Sequence, residues 1–129
     1  MPFVHRFLSQ SSYWAQQRPL TVVEKSIARS LCFGLYVDRA KRAEREQVGF
    51  ARVVTDQATF AWLCDVFVVD AHRSRGLSKW LLECVIAHPD LQGVGRIVLA
   101  TRDAHELYRN YGDFEALPNP EMWMARKQR

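Results

Sequence analysis

Residues 59–88 read Thr-Phe-Ala-Trp-Leu-Cys-Asp-Val-Phe-Val-Val, then Asp-Ala-His-Arg-Ser-Arg-Gly-Leu-Ser, then Lys-Trp-Leu-Leu-Glu-Cys-Val-Ile-Ala-His. The first part is apolar and rich in aromatic and β-branched residues, which predicts a buried strand. The last part places Leu77, Leu81, Cys84, Val85 and His88 on one face at helical spacing. A short basic turn carrying Gly76 joins the two. The first amides of a helix have no internal partner and the helix dipole is positive there, so such a turn attracts phosphate. Taken alone, the turn reads equally as an ordinary strand-to-helix connection with solvated arginines.

Outward from this stretch, 129 residues suit one domain, residues 1–129, with a single packed core. Hydrophobic content of 48% and charged content of 25% are those of a globular chain. No apolar run reaches membrane-spanning length, and Met1-Pro2-Phe3-Val4-His5-Arg6 is not a secretion signal, so no membrane partner and a cytoplasmic location are expected. Cys32, Cys64 and Cys84 are odd in number and sit in apolar segments, as reduced core residues do. His5, His72, His88 and His105 show no metal-ligand spacing with them, so no metal site is expected. The net charge of +4 suits an anionic ligand, a phosphorylated coenzyme or a nucleic acid. The basic residues are scattered, and the clusters at Arg39 to Arg45 and Arg126 to Arg129 read as a solvated turn and a tail, which argues against nucleic acid.

Phe3, Val4, Phe7 and Leu8 share one face of a short opening helix. Thr21-Val22-Val23-Glu24 has the form of a capping box, and Val23, Ile27 and Leu31 give the helix after it a buried stripe. Leu31 to Val37 predicts a strand, Asp38 to Glu46 a charged loop, and Gln47 to Thr55 an alternating strand. Asp56-Gln57-Ala58 is short enough for a hairpin into the Thr59 strand, so antiparallel neighbours are expected. After the Leu77 helix, Arg96 to Ala100 predicts a further buried strand, and its strand–helix–strand order implies a parallel pair. Thr101 is placed to cap a helix bearing Ala104, Leu107, Tyr108 and Tyr111, with Gly112 as its stop. Met122-Trp123-Met124-Ala125 reads as a last strand.

Two motifs carry a family resemblance. Arg73-Ser74-Arg75-Gly76-Leu77-Ser78 resembles the pyrophosphate-binding signature Arg/Gln-x-x-Gly-x-Gly/Ala of the GNAT family of N-acetyltransferases, with Ser78 in the last small position. Ala104 to Gly112 is similar to that family's later pattern Ala-x-x-Leu-Tyr-x-x-x-Gly-Phe, and Val48-Gly49-Phe50 looks like its Val-Gly-Phe/Tyr strand. The resemblance covers about Leu31 to the C-terminus. It implies an α/β fold with a mixed sheet of six or seven strands flanked by about four helices, and acetyl-CoA bound where two parallel strands splay apart. The implied reaction is direct acetyl transfer from acetyl-CoA to a primary amine of a small molecule or protein, without a covalent enzyme intermediate. By the same resemblance the backbone around Phe67, Val68 and Val69 holds the acetyl and pantetheine groups. The amides of Arg73, Ser74, Arg75, Gly76, Leu77 and Ser78 hold the pyrophosphate, and Tyr108 protonates the departing thiolate.

Chemistry supports Tyr108, since a thiolate leaving group needs a proton donor and a phenol supplies one; packing of the last helix is the plainer role. Asp65 interrupts an apolar strand, on a face with Leu63 and Phe67, where an unpaired carboxylate is costly. It is a candidate base or ammonium anchor, or equally a structural partner of Arg52 or Thr55 across the sheet; Glu24 and Asp103 are weaker candidates for the base. Thr101 stands where the family has Asn in contact with the coenzyme, Gly112-Asp113-Phe114 is one residue longer than the family's Gly-Phe, and the family's first strand is short or missing. An open sheet edge there invites a homodimer. A coenzyme-binding sensor without turnover is the alternative reading.

Overall fold

The computed structural model describes residues 3–5, 7, 17–39, 44–69 and 76–128. Residues 3–5 and 7 are helical. There follow α1 (Leu20–Ala28), β1 (Leu31–Arg39), β2 (Glu44–Thr55), β3 (Phe60–Val68), α2 (Leu77–Ala87), β4 (Arg96–Val98) and α3 (His105–Gly112), with 3-10 turns at Pro89–Leu91 and Pro120–Met122. The sheet runs in the order β1-β2-β3-β4. The first two pairings are antiparallel and the last is parallel, as the hairpin connection and the strand–helix–strand order require. The expected mixed sheet with flanking helices is present, with four strands among the described residues.

The β2–β3 turn is tied by one side chain. Asp56 Oδ1 accepts from the amides of Ala58 (2.9 Å) and Thr59 (2.8 Å), and its Oδ2 from the Thr59 hydroxyl (2.6 Å). The Thr59 hydroxyl bond and then the backbone bonds hold the Asp56 carboxyl well below the usual carboxylate range.

Both faces of the sheet are covered, so its central strands read as near-continuous apolar runs. Ala51, Val53, Ala61 and Leu63 pack with Leu81, Leu82 and Val85 of α2, and Leu91 and Tyr108 complete that cluster. Phe50 and Phe67 pack with Val23 of α1 and Val4 of the opening helix. Phe7 stacks on Phe67 with ring centroids 3.9 Å apart, which fixes the opening helix on the sheet. Leu8, expected on the same face, lies outside the described residues.

Several local expectations are corrected. The α2 stripe is Leu81, Leu82 and Val85, while Cys84 is exposed. Pro19 stands at the N-cap of α1 with no side-chain capping bond, so Thr21 and Glu24 are interior helical residues and form no capping box. Proline with φ of −62° is preorganised for that position. Thr101 Oγ1 does accept from the Ala104 amide (3.1 Å), but α3 begins only at His105. That helix stops at Asp113, whose φ of 56° is left-handed; Gly112 is still helical. A Cβ on Gly112 would stand 2.9 Å from the Phe114 ring, so glycine serves close packing there. Residues 122–125 are no strand: Pro118, Pro120 and left-handed Asn119 (φ 52°) break the pairing before them. Trp123 instead lies against Phe60 and under the Arg96 guanidinium, with Met124 97% exposed.

Candidate active site

The site begins with a disagreement between strand lengths. β4 pairs with β3 only at Phe60↔Arg96, Ala61↔Ile97 and Trp62↔Val98. Three residues beyond Trp62, β3 bulges. On β2 Phe50 faces Phe67 and Arg52 faces Cys64, so Ala51 alone spans Asp65 and Val66. Asp65 takes the left-handed conformation (φ 51°), which Asp tolerates better than most residues. The bulge breaks the alternation of β3, so Leu63 belongs to the core under α2 and Phe67 to the core under the opening helix. The expectation that Asp65 shares a face with both is thereby corrected.

Where the strands part, a cavity of ≈ 470 Å³ opens. Leu63, Cys64, Asp65 and Val66 line it from β3, and residues 99–104 line it from the segment after β4. Tyr108, Trp62, Arg18 and Arg52 complete its wall. A wider groove of ≈ 1200 Å³ lies against β4, α3 and the C-terminal segment, and shares Trp62, Leu99, Ala100, Thr101 and Tyr108 with it.

Asp65, 4% exposed, is not left unpaired. Its Oδ2 accepts from Arg52 Nε (2.8 Å) and from Arg18 Nη1 (3.0 Å). Arg52 Nη1 also donates to Ser30 Oγ (3.1 Å), which itself donates to the carbonyl of Ser26. The network ties the bulge to β2, to the end of α1 and to Arg18, two residues before α1. Burying these charges is tolerated because each guanidinium bond is charge-assisted. His5 Nε2 donates to the Arg18 carbonyl (2.8 Å), which holds that backbone in place. Thr55, the other structural partner considered for Asp65, donates instead to the Phe60 carbonyl. Burial pushes the neighbouring Cys64 thiol up to about 11, against the pull of Arg52, and raises Cys32 in the same way.

The two tyrosines of α3 separate cleanly. Tyr108 is buried, lines both cavities and meets Phe114 edge-on at 5.8 Å. Tyr111 is 47% exposed, with Lys79 Nζ 4.8 Å from its ring. The extra Asp113 is absorbed by its left-handed turn, from which the Phe114 amide reaches back to the Tyr108 carbonyl (3.2 Å).

Gly76 is the N-cap of α2 with φ of 73°, and a Cβ there would meet nothing within 4 Å. Among the described residues no side chain caps the helix, and its first turn holds no acidic residue. Open space over uncapped amides suits an anion. Leu77 and Ser78 lie in that first turn, and Leu77 packs on Leu35, Val48 and Val68. Arg73, Ser74 and Arg75 lie outside the described residues. Phe67, Val68 and Val69 continue β3 past the cavity, and the Val69 amide bonds the Val48 carbonyl (2.8 Å).

Asp65, Thr101 and Tyr108 are therefore brought to one cavity, while residues 67–69 and 76–78 lie outside its lining. Asp103 lines it too, whereas Glu24 is exposed on α1. Sequence reasoning missed Arg18 in this wall and saw Arg52 only as a partner for Asp65. Arg52 carried a signal, a charge in an alternating buried strand; Arg18, before a proline, carried none. Among the described residues no three His, Cys, Asp or Glu side chains stand together to hold a metal, and no helix is long and apolar enough to cross a membrane.

Comparison with known proteins bears on the family and the fold. The family model described as an acetyltransferase (GNAT) domain matches residues 28–112. FG08082 of Gibberella zeae, itself assigned as an acetyltransferase, is 31% identical over 91% of this chain and 77% of its own length. A GNAT-family acetyltransferase candidate from Xanthomonas campestris pv. campestris has a crystal structure that superposes with a TM-score of 0.89 at 50% identity, over 98% of this chain and 84% of that one. A Pyrococcus furiosus structure at 17% identity and a TM-score of 0.65, over 98% of this chain and 92% of its own, shows the same fold.

Proposed function

Because this chain belongs to the GNAT family of acetyltransferases, we propose that it moves the acetyl group of acetyl-CoA to a primary amine by direct attack, with Tyr108 as general acid. The observation that carries this reading is the parting of β3 and β4 at the Asp65 bulge, with Tyr108 lining the cavity so formed. When bound, acetyl-CoA supplies an activated acyl group on a thiol leaving group. The cavity between residues 63–66 and 99–104 fits the narrow end of such a molecule, and the uncapped turn at Gly76 fits its pyrophosphate. Residues 67–69 and 73–78 keep their coenzyme-holding roles in this proposal, with Thr101 in the cavity lining, its hydroxyl accepting from the Ala104 amide and keeping its own proton to donate.

Tyr108 is held by its ring in the core, so its hydroxyl is positioned without loss of freedom at the moment of reaction. It donates a proton as charge develops on the departing sulfur. The proton of the attacking amine leaves through an ordered water or Asp65. Oδ2 of Asp65 already accepts from two guanidiniums, so the residue chiefly places the bulge and Arg18. Cys64 stays a neutral thiol and is a poor nucleophile, which favours direct attack over an acyl-enzyme route. A cytoplasmic setting suits three free cysteines, and a homodimer through the β1 edge belongs to the same proposal.

Calorimetric titration with acetyl-CoA, with thiol release followed across a panel of amines, tests the reading. Saturable binding, a raised melting temperature and amine-dependent thiol release are expected. No binding would overturn it. Binding without release for any amine would favour the alternative, a coenzyme sensor, in keeping with Thr101 where the family has Asn.

A further inference from the structure

We propose that the acceptor carries a carboxylate beside its amine and that Arg18 receives it; this rests on the acetyltransferase reading above. Arg18 and Arg52 both bond Asp65 Oδ2, so two guanidiniums meet one carboxylate in this part of the cavity wall. Among the described residues of the lining, Arg18, Arg52 and Arg102 stand with Asp65 and Asp103, an excess of positive charge. The two central arginines are not equivalent. Arg52, its side chain 10% exposed, is spent on structure, with Nε on Asp65 and Nη1 on Ser30. Arg18 is 22% exposed and bonds Asp65 through Nη1. A guanidinium has five donors in a planar fork, matched to a carboxylate, and its charge persists at any working pH. Its backbone is pinned by His5 and its head by Asp65, so the fork is preorganised at the cavity wall.

The same charges argue against a polyamine or aminoglycoside. A cationic acceptor needs a carboxylate to anchor its ammonium; Asp65 already holds two guanidiniums, and the exposed Asp103 is next in sequence to the cationic Arg102. An acceptor of the amino-acid class instead offers its carboxylate to Arg18 and directs its neutral amine along the cavity toward the wall bearing Tyr108.

Free amino acids and their amides form matched acceptor pairs differing only in the carboxylate. With the intact protein at saturating acetyl-CoA, the acids are expected to give the higher kcat/KM, although their amines are more basic, and spermidine the lowest. Arg18→Gln should raise KM for the acids roughly 10–100-fold, as for a lost charged hydrogen bond, with kcat and the KM of the amides little changed. Arg18→Lys should recover part of the loss for the acids and leave the amides unmoved, whereas restoring the Asp65 pair alone would move acids and amides alike. Equal or better turnover of amides or spermidine, or an Arg18→Gln protein with an unchanged preference, would overturn the inference and leave the acetyltransferase reading standing. Failure of acetyl-CoA to bind at all, read by calorimetry beforehand, is instead the failure of that reading.

Discussion

At the scale of single residues, Asp65 shows what a sequence makes visible and what it hides. A carboxylate inside Leu-Cys-Asp-Val-Phe-Val is conspicuous, and its pairing with Arg52 was open to reasoning because both interrupt neighbouring apolar strands. Its left-handed backbone was not legible, because Asp tolerates that conformation without requiring it. Nor was Arg18, which arrives from 47 residues away and only through the folded chain. Asp65→Asn leaves two guanidiniums without their charged partner, and breaking a buried pair in this way costs about 3–5 kcal/mol. Urea unfolding should show that loss as a lower midpoint with an unchanged slope. A midpoint that barely moves, beside a collapsed rate per folded molecule, would make Asp65 the base and deny it a structural role.

At the scale of elements, patterning and connection length announced the β2–β3 hairpin and the β3–α2–β4 crossover, whereas ends and irregularities were poorly announced: within the loop expected over Asp38 to Glu46, Asp38 pairs with Arg45, and Val37 with Glu46, as strand. Thr21 and Glu24 have capping-box spacing, yet Pro19 starts the helix two residues earlier, because spacing cannot say which of two starters wins. The β2–β3 turn offers a test of local chemistry. The Thr59 hydroxyl and nearby amides lower the folded pKa of Asp56 below the unfolded value near 3.9, so the stability it contributes is full above about pH 4 and fades as pH falls toward the folded value. Asp56→Ala should therefore be less stable than the parent at pH 7, with the gap narrowing as the pH drops through 4. A gap equally wide at pH 7 and at pH 2.5 would contradict the clasp. At Gly76 the φ of 73° makes valine strained by about 1–2 kcal/mol, and its side chain would fill the open space over the first amides of α2. Gly76→Val should weaken CoA binding more than tenfold in calorimetry while Ser78→Ala stays near parental; parental affinity in Gly76→Val would remove the phosphate role of this turn.

Across the whole molecule, the α/β architecture was legible because both central strands and α2 are strongly patterned, and two family-like motifs lie at the right separation on the right elements. The C-terminal segment was not, because Met122-Trp123-Met124 carries strand propensity while the Pro-Asn-Pro before it denies pairing. The cavity exists only as a relation between elements, the short β4, the bulge and α3, so no stretch of sequence encodes it alone. The central claim is that this relation delivers a proton from Tyr108 to a departing thiolate. Single-turnover acetyl transfer at saturating acetyl-CoA, with an amine that supports thiol release, tests it most directly when Tyr108→Phe is compared with Tyr111→Phe. Tyr108→Phe keeps the buried ring and its edge contact with Phe114, so stability and coenzyme affinity should hold within a few-fold. Its rate should fall by roughly 10²–10⁴, the range for a positioned general acid, while the exposed Tyr111 should tolerate the change with little loss. Equal, small losses of single-turnover rate at the two tyrosines would contradict the claim.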